Sequence, residues 1–143
     1  MLIAHVLRGK GADVHTLPAT ATLQQAAEEL NSRRVGALVV LDGDGELIGV
    51  FSERDLVREV ALRGTAALSS EVGAAMTRKV ITAHPNETID DCLARMTDRR
   101  IRHLPVLESG RLGGIVSIGD LVKHRIAAVE ADAAAMQAYI SAH

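Results

Sequence analysis

Two phrases in this chain place a serine hydroxyl and an aspartate carboxylate three residues apart, directly after an apolar stretch. They read Gly49-Val50-Phe51-Ser52-Glu53-Arg54-Asp55 and Gly114-Ile115-Val116-Ser117-Ile118-Gly119-Asp120. Each is typical of a strand that turns tightly into a helix. A helix N-terminus favours negative charge and offers free N–H groups to an anion. The pattern therefore predicts either a polar ligand site at each corner or a helix cap, in which Ser and Asp satisfy backbone N–H groups.

The elements that position the first corner are predicted from periodicity and turn residues. Strands are predicted at residues 14–17, 35–41 and 47–51, with Pro18 ending the first. Thr22 and Gln25 form a capping box that opens one helix. A second helix begins at Ser52 or Asp55 and ends before Gly64. The connector at 64–75 follows, and we expect Val72 and Met76 to pack into the core.

The same order recurs around the second corner, so the chain is a tandem duplication. Strands are predicted at residues 80–82, 101–107 and 112–116, and Thr88 caps the helix after the first of them. The last helix runs from Asp120 to about residue 141. Each half is therefore strand, helix, strand, strand, helix. A turn of helix and a loop at 1–13 precede both halves, and Gly9-Lys10-Gly11 lacks the order of a phosphate-binding loop.

Composition excludes several classes of function. The net charge of −2 leaves no basic footprint for nucleic acid, and Phe51 and Tyr139 alone cannot form a base-stacking platform. No apolar run approaches the ~20 residues of a membrane helix, and no signal peptide is evident. The six histidines show no metal-ligand spacing, and no Ser/His/Asp arrangement supports an enzyme. The single cysteine, Cys92, suits a reducing cytoplasm.

The two corner phrases and the motifs around them resemble those of a known family. The supporting motifs are Met76-Thr77, Val80-Ile81-Thr82 followed by Pro85 and Thr88, and Arg100-Ile101-Arg102-His103-Leu104-Pro105-Val106. Residues 2–126 resemble a tandem pair of cystathionine-β-synthase (CBS) domains, a Bateman module. The resemblance implies an α/β (α+β) fold of two β-α-β-β-α domains related by a pseudo-twofold axis. Its implied domains are 1–66 and 67–126, with a helical extension at 127–143.

The resemblance also implies a function. CBS pairs sense adenine nucleotides (AMP, ADP or ATP, and in some members NAD(H) or S-adenosylmethionine) in clefts between the two domains. They transmit the ligand state to a partner protein, here unknown, and carry out no catalysis. CBS modules typically pair through their helices, and an apolar stripe from Val122 to Ile140 adds to the expectation of a homodimer. The alternative is a structural dimerisation module with vestigial clefts.

Carried onto this sequence, the family pattern assigns a role to each candidate residue. Asp120 and Asp55 would hold ribose, and Ser117 and Ser52 would contact phosphate. Backbone groups at Ile81-Thr82 and His15-Thr16 would face the adenine edge. The purine would lie between apolar side chains, namely Ile101, Val116, Val35 and Val50.

The two predicted sites are unequal. The second offers Arg102 and His103, for which phosphate contact and a salt bridge or solvated strand edge both remain open, around a slim Ile118-Gly119 corner. The first has Gly36 and Ala37 at the matching positions. Its Glu53-Arg54 either crowds the corner or lets Arg54 reach phosphate. We therefore expect the stronger phosphate contact beside Asp120.

Overall fold

The structure, a computed structural model, describes residues 1–11 and 13–142. Its elements in chain order are α1 (Ile3–Lys10), β1 (Thr16–Pro18), α2 (Leu23–Arg33), β2 (Ala37–Leu41), β3 (Leu47–Ser52), α3 (Glu53–Arg63), a 3₁₀ helix (Gly64–Ser69), α4 (Val72–Ala75), α5 (Ile89–Arg99), β4 (His103–Glu108), β5 (Arg111–Ser117) and α6 (Ile118–Ala142). They form two compact units. Unit A comprises residues 13–82 and 109–112, and unit B comprises the described residues of 1–12, 83–108 and 113–143.

Unit A is built on a three-stranded sheet in the order β1-β2-β3. β1 lies parallel to β2, and β3 returns antiparallel, with Leu38 opposite Phe51. β2 begins two residues later than predicted because Arg34 has a positive φ of 55° and the Val35 N–H bonds the Leu30 carbonyl, which completes the end of α2. Val72 and Met76 are buried in the same core, which confirms the prediction for the connector.

Unit B contains β4 and residues 113–117 of β5, which pair in a two-stranded sheet, together with α1, α5 and α6. The strand predicted at 80–82 does not form, and the prediction is wrong there. One parallel bridge joins Ala83 to Val106 instead. Continuing that ladder would need an N–H from Pro105 on one side and from Pro85 on the other, and proline has none. The first strand of the second half is therefore reduced to a single bridge.

The helix starts follow the predicted caps. Thr22 accepts a hydrogen bond from the Gln25 N–H and forms the expected capping box, Ser52 caps α3, and Thr88 caps α5. α1 is longer than the predicted single turn, because Ile3 and Val6 bury an apolar face. Its first N–H groups donate to the carbonyls of Glu87 and Pro85, both at 2.9 Å.

The last helix, α6, begins two residues earlier than predicted and has an unusual exposure. It spans 25 residues, of which Leu121 alone is buried. The large apolar side chains on its exposed surface are Val122, Ile126, Val129, Met136, Tyr139 and Ile140. In the described part of the chain, no helix combines the length and hydropathy that crossing a membrane requires.

Candidate ligand-binding site

The corner in unit B brings Ser117 and Asp120 together where β5 ends and α6 begins. The Ser117 N–H donates to Oδ2 of Asp120 at 2.9 Å, and the Asp120 N–H donates to Oγ of Ser117 at 3.1 Å. The two side chains thus form the reciprocal helix cap that the sequence left open as an alternative. The cap fixes both groups, yet the serine hydroxyl hydrogen remains able to donate.

A lysine that the site prediction did not include reaches this carboxylate. The Lys10 ammonium, at the end of α1, lies 2.5 Å from Oδ2 of Asp120 and donates to the Ile115 carbonyl at 2.9 Å. Burial on its own would raise the pKa of the Asp120 carboxyl. The hydrogen bonds from Lys10 and from Ser117 outweigh it and hold the pKa below its usual value. The carboxylate is therefore charged at neutral pH and partly neutralised by Lys10.

This pairing predicts a pH-dependent contribution to stability. Because the folded pKa of Asp120 is lowered, the contribution is present above the unfolded value near 3.9 and is lost as the pH falls through the folded pKa. We expect Asp120→Asn to be less stable than the natural chain by about 1 kcal/mol at pH 6.5, since the pair is partly exposed. The difference in stability between the two chains should shrink when the pH is lowered from 6.5 to about 3. Urea unfolding at both pH values measures this, and an undiminished gap at low pH would contradict it.

The corner in unit A has the same helix cap, but both carboxylate oxygens of its aspartate accept hydrogen bonds. The Ser52 N–H donates to Oδ2 of Asp55 at 2.9 Å, and the Arg58 guanidinium donates to Oδ1 at 3.0 Å. Both oxygens of Asp55 are thereby engaged within the unit, and its side chain is 6% exposed. The Asp120 side chain is 27% exposed. Its Oδ1 accepts no hydrogen bond from the residues that the structure describes.

The helix N-termini offer few donors beyond the caps. The Ile118 N–H donates to the Arg102 carbonyl at 2.8 Å, and the Glu53 N–H donates to the Gly36 carbonyl at 2.9 Å. The Asp120 N–H is taken by Ser117. Across the described residues, the Gly119 N–H meets no acceptor. The polar groups left at the unit B corner are thus this N–H, the Ser117 hydroxyl and one carboxylate oxygen.

Arg102 lies beside this corner but not on a strand. β4 begins at His103, because the Arg102 carbonyl bonds the start of α6 rather than a neighbouring strand. The sequence placed both residues on the strand, which is wrong for Arg102. Its side chain is exposed, and it forms no ion pair with the acidic residues that the structure describes. His103 is half-buried.

The other candidate residues fall in both units. The candidates in unit A are His15, Thr16, Val35, Val50, Ser52, Arg54, Asp55, Ile81 and Thr82. Those in unit B are Ile101, Arg102, His103, Val116, Ser117, Ile118, Gly119 and Asp120. Thr16 pairs with Val39 in the sheet, and His15 precedes β1, where its carbonyl accepts a hydrogen bond from the Val39 N–H at 3.1 Å. Ile81 and Thr82 are half-buried and outside any strand.

One apolar candidate faces the interior. Val116 is fully buried. Its neighbours in β5 point to the opposite face, because successive side chains of a strand alternate between the two faces. Ile115 is half-buried and shares the face of Ser117. Ile115 was not among the predicted site residues, although the duplication indicates it: Ile115 matches Val50, whereas Val116 matches the buried Phe51.

Comparison with known proteins decides the family. A family model described as the CBS domain matches this chain twice, at residues 11–62 and 70–127. The chain belongs to the CBS-domain family. Both the resemblance inferred from the corner phrases and the α/β fold of two CBS domains are thereby confirmed.

Related CBS proteins differ in length from this chain. The mitochondrial CBS domain-containing protein CBSX3 of Arabidopsis thaliana is 38% identical in an alignment of 122 residues, and the match covers 81% of this chain and 59% of that protein. The chain thus spans about three fifths of that relative. A crystal structure of a CBS-domain-containing protein from Agrobacterium tumefaciens is 45% identical, with a TM-score of 0.85, and the match covers 87% of this chain and 92% of the other.

Two CBS structures were solved with adenosine-containing ligands. A Pyrobaculum aerophilum CBS domain protein complexed with AMP is 30% identical, with a TM-score of 0.75 and 84% and 89% of the two chains covered. The CBS domain pair of protein MJ0100, in complex with 5′-methylthioadenosine and S-adenosyl-L-methionine, is 26% identical, with a TM-score of 0.77 and 86% and 94% covered. These two proteins, which share the fold of this chain, therefore bind such ligands. Among the described residues, no group of three His, Cys, Asp or Glu side chains can hold a metal ion.

Proposed function

We propose that this chain is a regulatory module that binds an adenine nucleotide and carries out no catalysis of its own. The ligand is AMP, ADP or ATP, with NAD(H) and S-adenosylmethionine, which carry the same adenosine group, as the alternatives. Two solved CBS proteins of the same fold hold AMP and S-adenosylmethionine, which supports the class of ligand. Ligand binding changes the population of conformations, and an unidentified partner protein responds to the change.

The observation that carries the proposal is the open carboxylate oxygen at the unit B corner. Oδ1 of Asp120 accepts a ribose hydroxyl, while the Ser117 hydroxyl and the Gly119 N–H donate to a phosphate oxygen. We assign the apolar contact with the purine to Ile115 rather than to the buried Val116. Ile101 is half-buried in the same unit and is kept as a second apolar contact.

The same contacts support unequal sites. Asp55 has both oxygens engaged, by Ser52 and by Arg58, so a ribose there would have to displace a guanidinium. Asp120 keeps one oxygen open. We therefore propose that the site at Asp120 fills first and that the one at Asp55 binds weakly or remains empty.

A titration series tests the class of ligand. Calorimetry with AMP, ADP, ATP, NAD(H), S-adenosylmethionine and, as a control, GMP should show saturable heat for at least one adenine compound and a weaker response to GMP. Absence of saturable binding for all five adenine compounds at millimolar concentration would contradict the proposal. It would favour the alternative of a structural module with vestigial sites.

Arg102 is proposed to contact the phosphate. Its exposed guanidinium has no acidic partner among the residues described, so a phosphate oxygen would supply one. Arg102→Ala should weaken AMP binding about tenfold, since a hydrogen bond to a charged group contributes roughly 1.5 kcal/mol or more. Adenosine binding should be unchanged. Arg99→Ala, a matched exposed arginine on α5, should affect neither. Equal loss of both ligands in Arg102→Ala would move this arginine from the phosphate to the scaffold.

We propose further that the chain forms a homodimer through α6. The exposed residues Val122, Ile126, Val129, Met136 and Ile140 follow the alternating spacing of four and three that coiled coils use, with Ala133 completing the pattern. Burying one such side chain contributes about 1.5–3 kcal/mol. A second copy of the chain offers the same apolar stripe.

A cytoplasmic location remains a prediction from the single cysteine, Cys92.

A further inference from the structure

The segments that precede the two halves make matching contacts in their respective units. In unit A, Glu71 bridges to Thr22, the Val72 N–H bonds the Ala21 carbonyl, and a Cβ on Gly49 would meet Met76. In unit B, Leu2 bridges to Thr88, the Ile3 N–H bonds the Glu87 carbonyl, and a Cβ on Gly114 would meet Leu7. The lead-in of residues 1–7 is therefore the structural counterpart of residues 70–76.

The two lead-ins diverge immediately afterwards. In unit A the backbone continues beside β3, where the Thr77 N–H donates to the Val50 carbonyl at 2.9 Å. In unit B the helix α1 continues to Lys10, and its ammonium donates to the Ile115 carbonyl, the counterpart of that of Val50. A fixed backbone contact in one unit is thus replaced in the other by the end of a flexible side chain.

The cation beside each carboxylate also comes from a different place. Asp55 is paired with Arg58, three residues later on its own helix. The residue at the same position after Asp120 is Lys123, which is exposed and forms no ion pair with any described residue. Asp120 is paired instead with Lys10 of α1. The unit B carboxylate thereby pairs directly with the N-terminal segment, whereas in unit A the link to the counterpart segment runs through Arg58, which also donates to the Ala75 carbonyl at 3.2 Å.

The ion pair and a ribose compete for the same atom. Oδ2 of Asp120 already accepts the Ser117 N–H and the Lys10 ammonium. A ribose that donates one hydroxyl to each carboxylate oxygen needs Oδ2 as well as the open Oδ1. The Ser117 bond belongs to the helix cap and stays, so the lysine is the group that must leave. Gly9 and Gly11, the latter with φ of 97°, flank Lys10 and permit the movement.

We propose that Lys10 is an intramolecular competitor for the Asp120 carboxylate, that a ribose-bearing ligand displaces it, and that its release frees the last turn of α1. This inference rests on the proposed function, because it requires a ligand at Asp120. Beyond that function, it names the part of the chain whose structure changes when the ligand binds. The N-terminal segment then changes with ligand state and is the surface that a partner can read.

Adenosine is the probe that isolates the competition. It carries the ribose but no charge, so an ammonium cannot attract it through a phosphate. Lys10→Met should bind adenosine about fivefold more tightly than the natural chain, because the partly exposed ion pair no longer has to be broken. Lys10→Gln, which keeps a donor for Ile115 without the charge, should behave in the same way. Lys79→Met, an exposed lysine of unit A three residues beyond the counterpart segment, is the control and should leave the affinity unchanged.

Hydrogen exchange provides the second measurement. Without ligand, the amides of residues 7–10 should exchange faster in Lys10→Met than in the natural chain. Saturating adenosine should accelerate them in the natural chain and leave Lys10→Met unaffected. Adenosine binding of equal or lower affinity in both Lys10 variants would overturn the competition and leave the proposed function standing. Failure of adenosine and AMP to bind any of the chains would overturn both.

Discussion

Asp120→Ala is expected to weaken the binding of AMP by roughly 10- to 100-fold, because hydrogen bonds to a charged group contribute about 1.5–3 kcal/mol. The carboxylate holds one open oxygen at the corner, and alanine removes the acceptor of the ribose hydroxyls. Adenosine should lose the same factor, since it carries the same ribose. Titration calorimetry of both ligands measures the effect.

The fold should survive this substitution. Loss of a helix cap costs about 1 kcal/mol, which is a fraction of the stability of a domain. Asp55→Ala is the comparison, because Asp55 is the matching residue of unit A and both its oxygens are engaged within that unit. It should leave the affinity of the stronger site nearly unchanged. Unchanged AMP affinity in Asp120→Ala would remove the ribose assignment.

Placing two lysines on the apolar stripe of α6 is expected to convert the dimer into a monomer. Val129→Lys combined with Met136→Lys puts charges into a seam that two helices would bury, and unpaired buried charge is strongly unfavourable. Both residues lie beyond the part of the chain that the CBS-domain model matches. Light scattering at micromolar concentration, with and without AMP, measures the mass.

The matched control keeps the added charge and moves it to the outer face of the helix. Ala131→Lys combined with Ala134→Lys introduces the same two charges at exposed positions outside the stripe. It should leave the dimer intact. A natural chain that is monomeric at this concentration, or a stripe variant that remains dimeric, would show that α6 does not join two copies.

Features that depend on neighbouring residues were predictable from the sequence. The capping boxes at Thr22 and Ser52 and the long helix α6 follow from local side-chain chemistry and from helical spacing. The duplication also predicted which corner phrases match, and with them the family. Reading the repeat strictly would have selected Ile115 over Val116 as the residue on the face of Ser117, because a strand alternates its faces.

Features that depend on residues distant in the chain were not predictable in the same way. The contact of Lys10 with Asp120 joins the end of α1 to the start of α6, and nothing in the local sequence of either residue indicates the other. The strand expected at 80–82 fails because Pro105 and Pro85 interrupt the parallel ladder on both sides of Ala83. Predicting that interruption requires knowing the register in which the two strands pair, and the sequence alone did not supply this register.

The central claim is that an adenine nucleotide binds at the corner where β5 meets α6. Titrating AMP into isotopically labelled protein and following the backbone amide resonances tests it most directly. We expect saturable shifts at Ser117, Gly119 and Asp120, with smaller shifts at Ser52 and Asp55 that appear at higher concentration. Amide resonances of residues 115–120 that stay in place while AMP reaches millimolar concentration would contradict it.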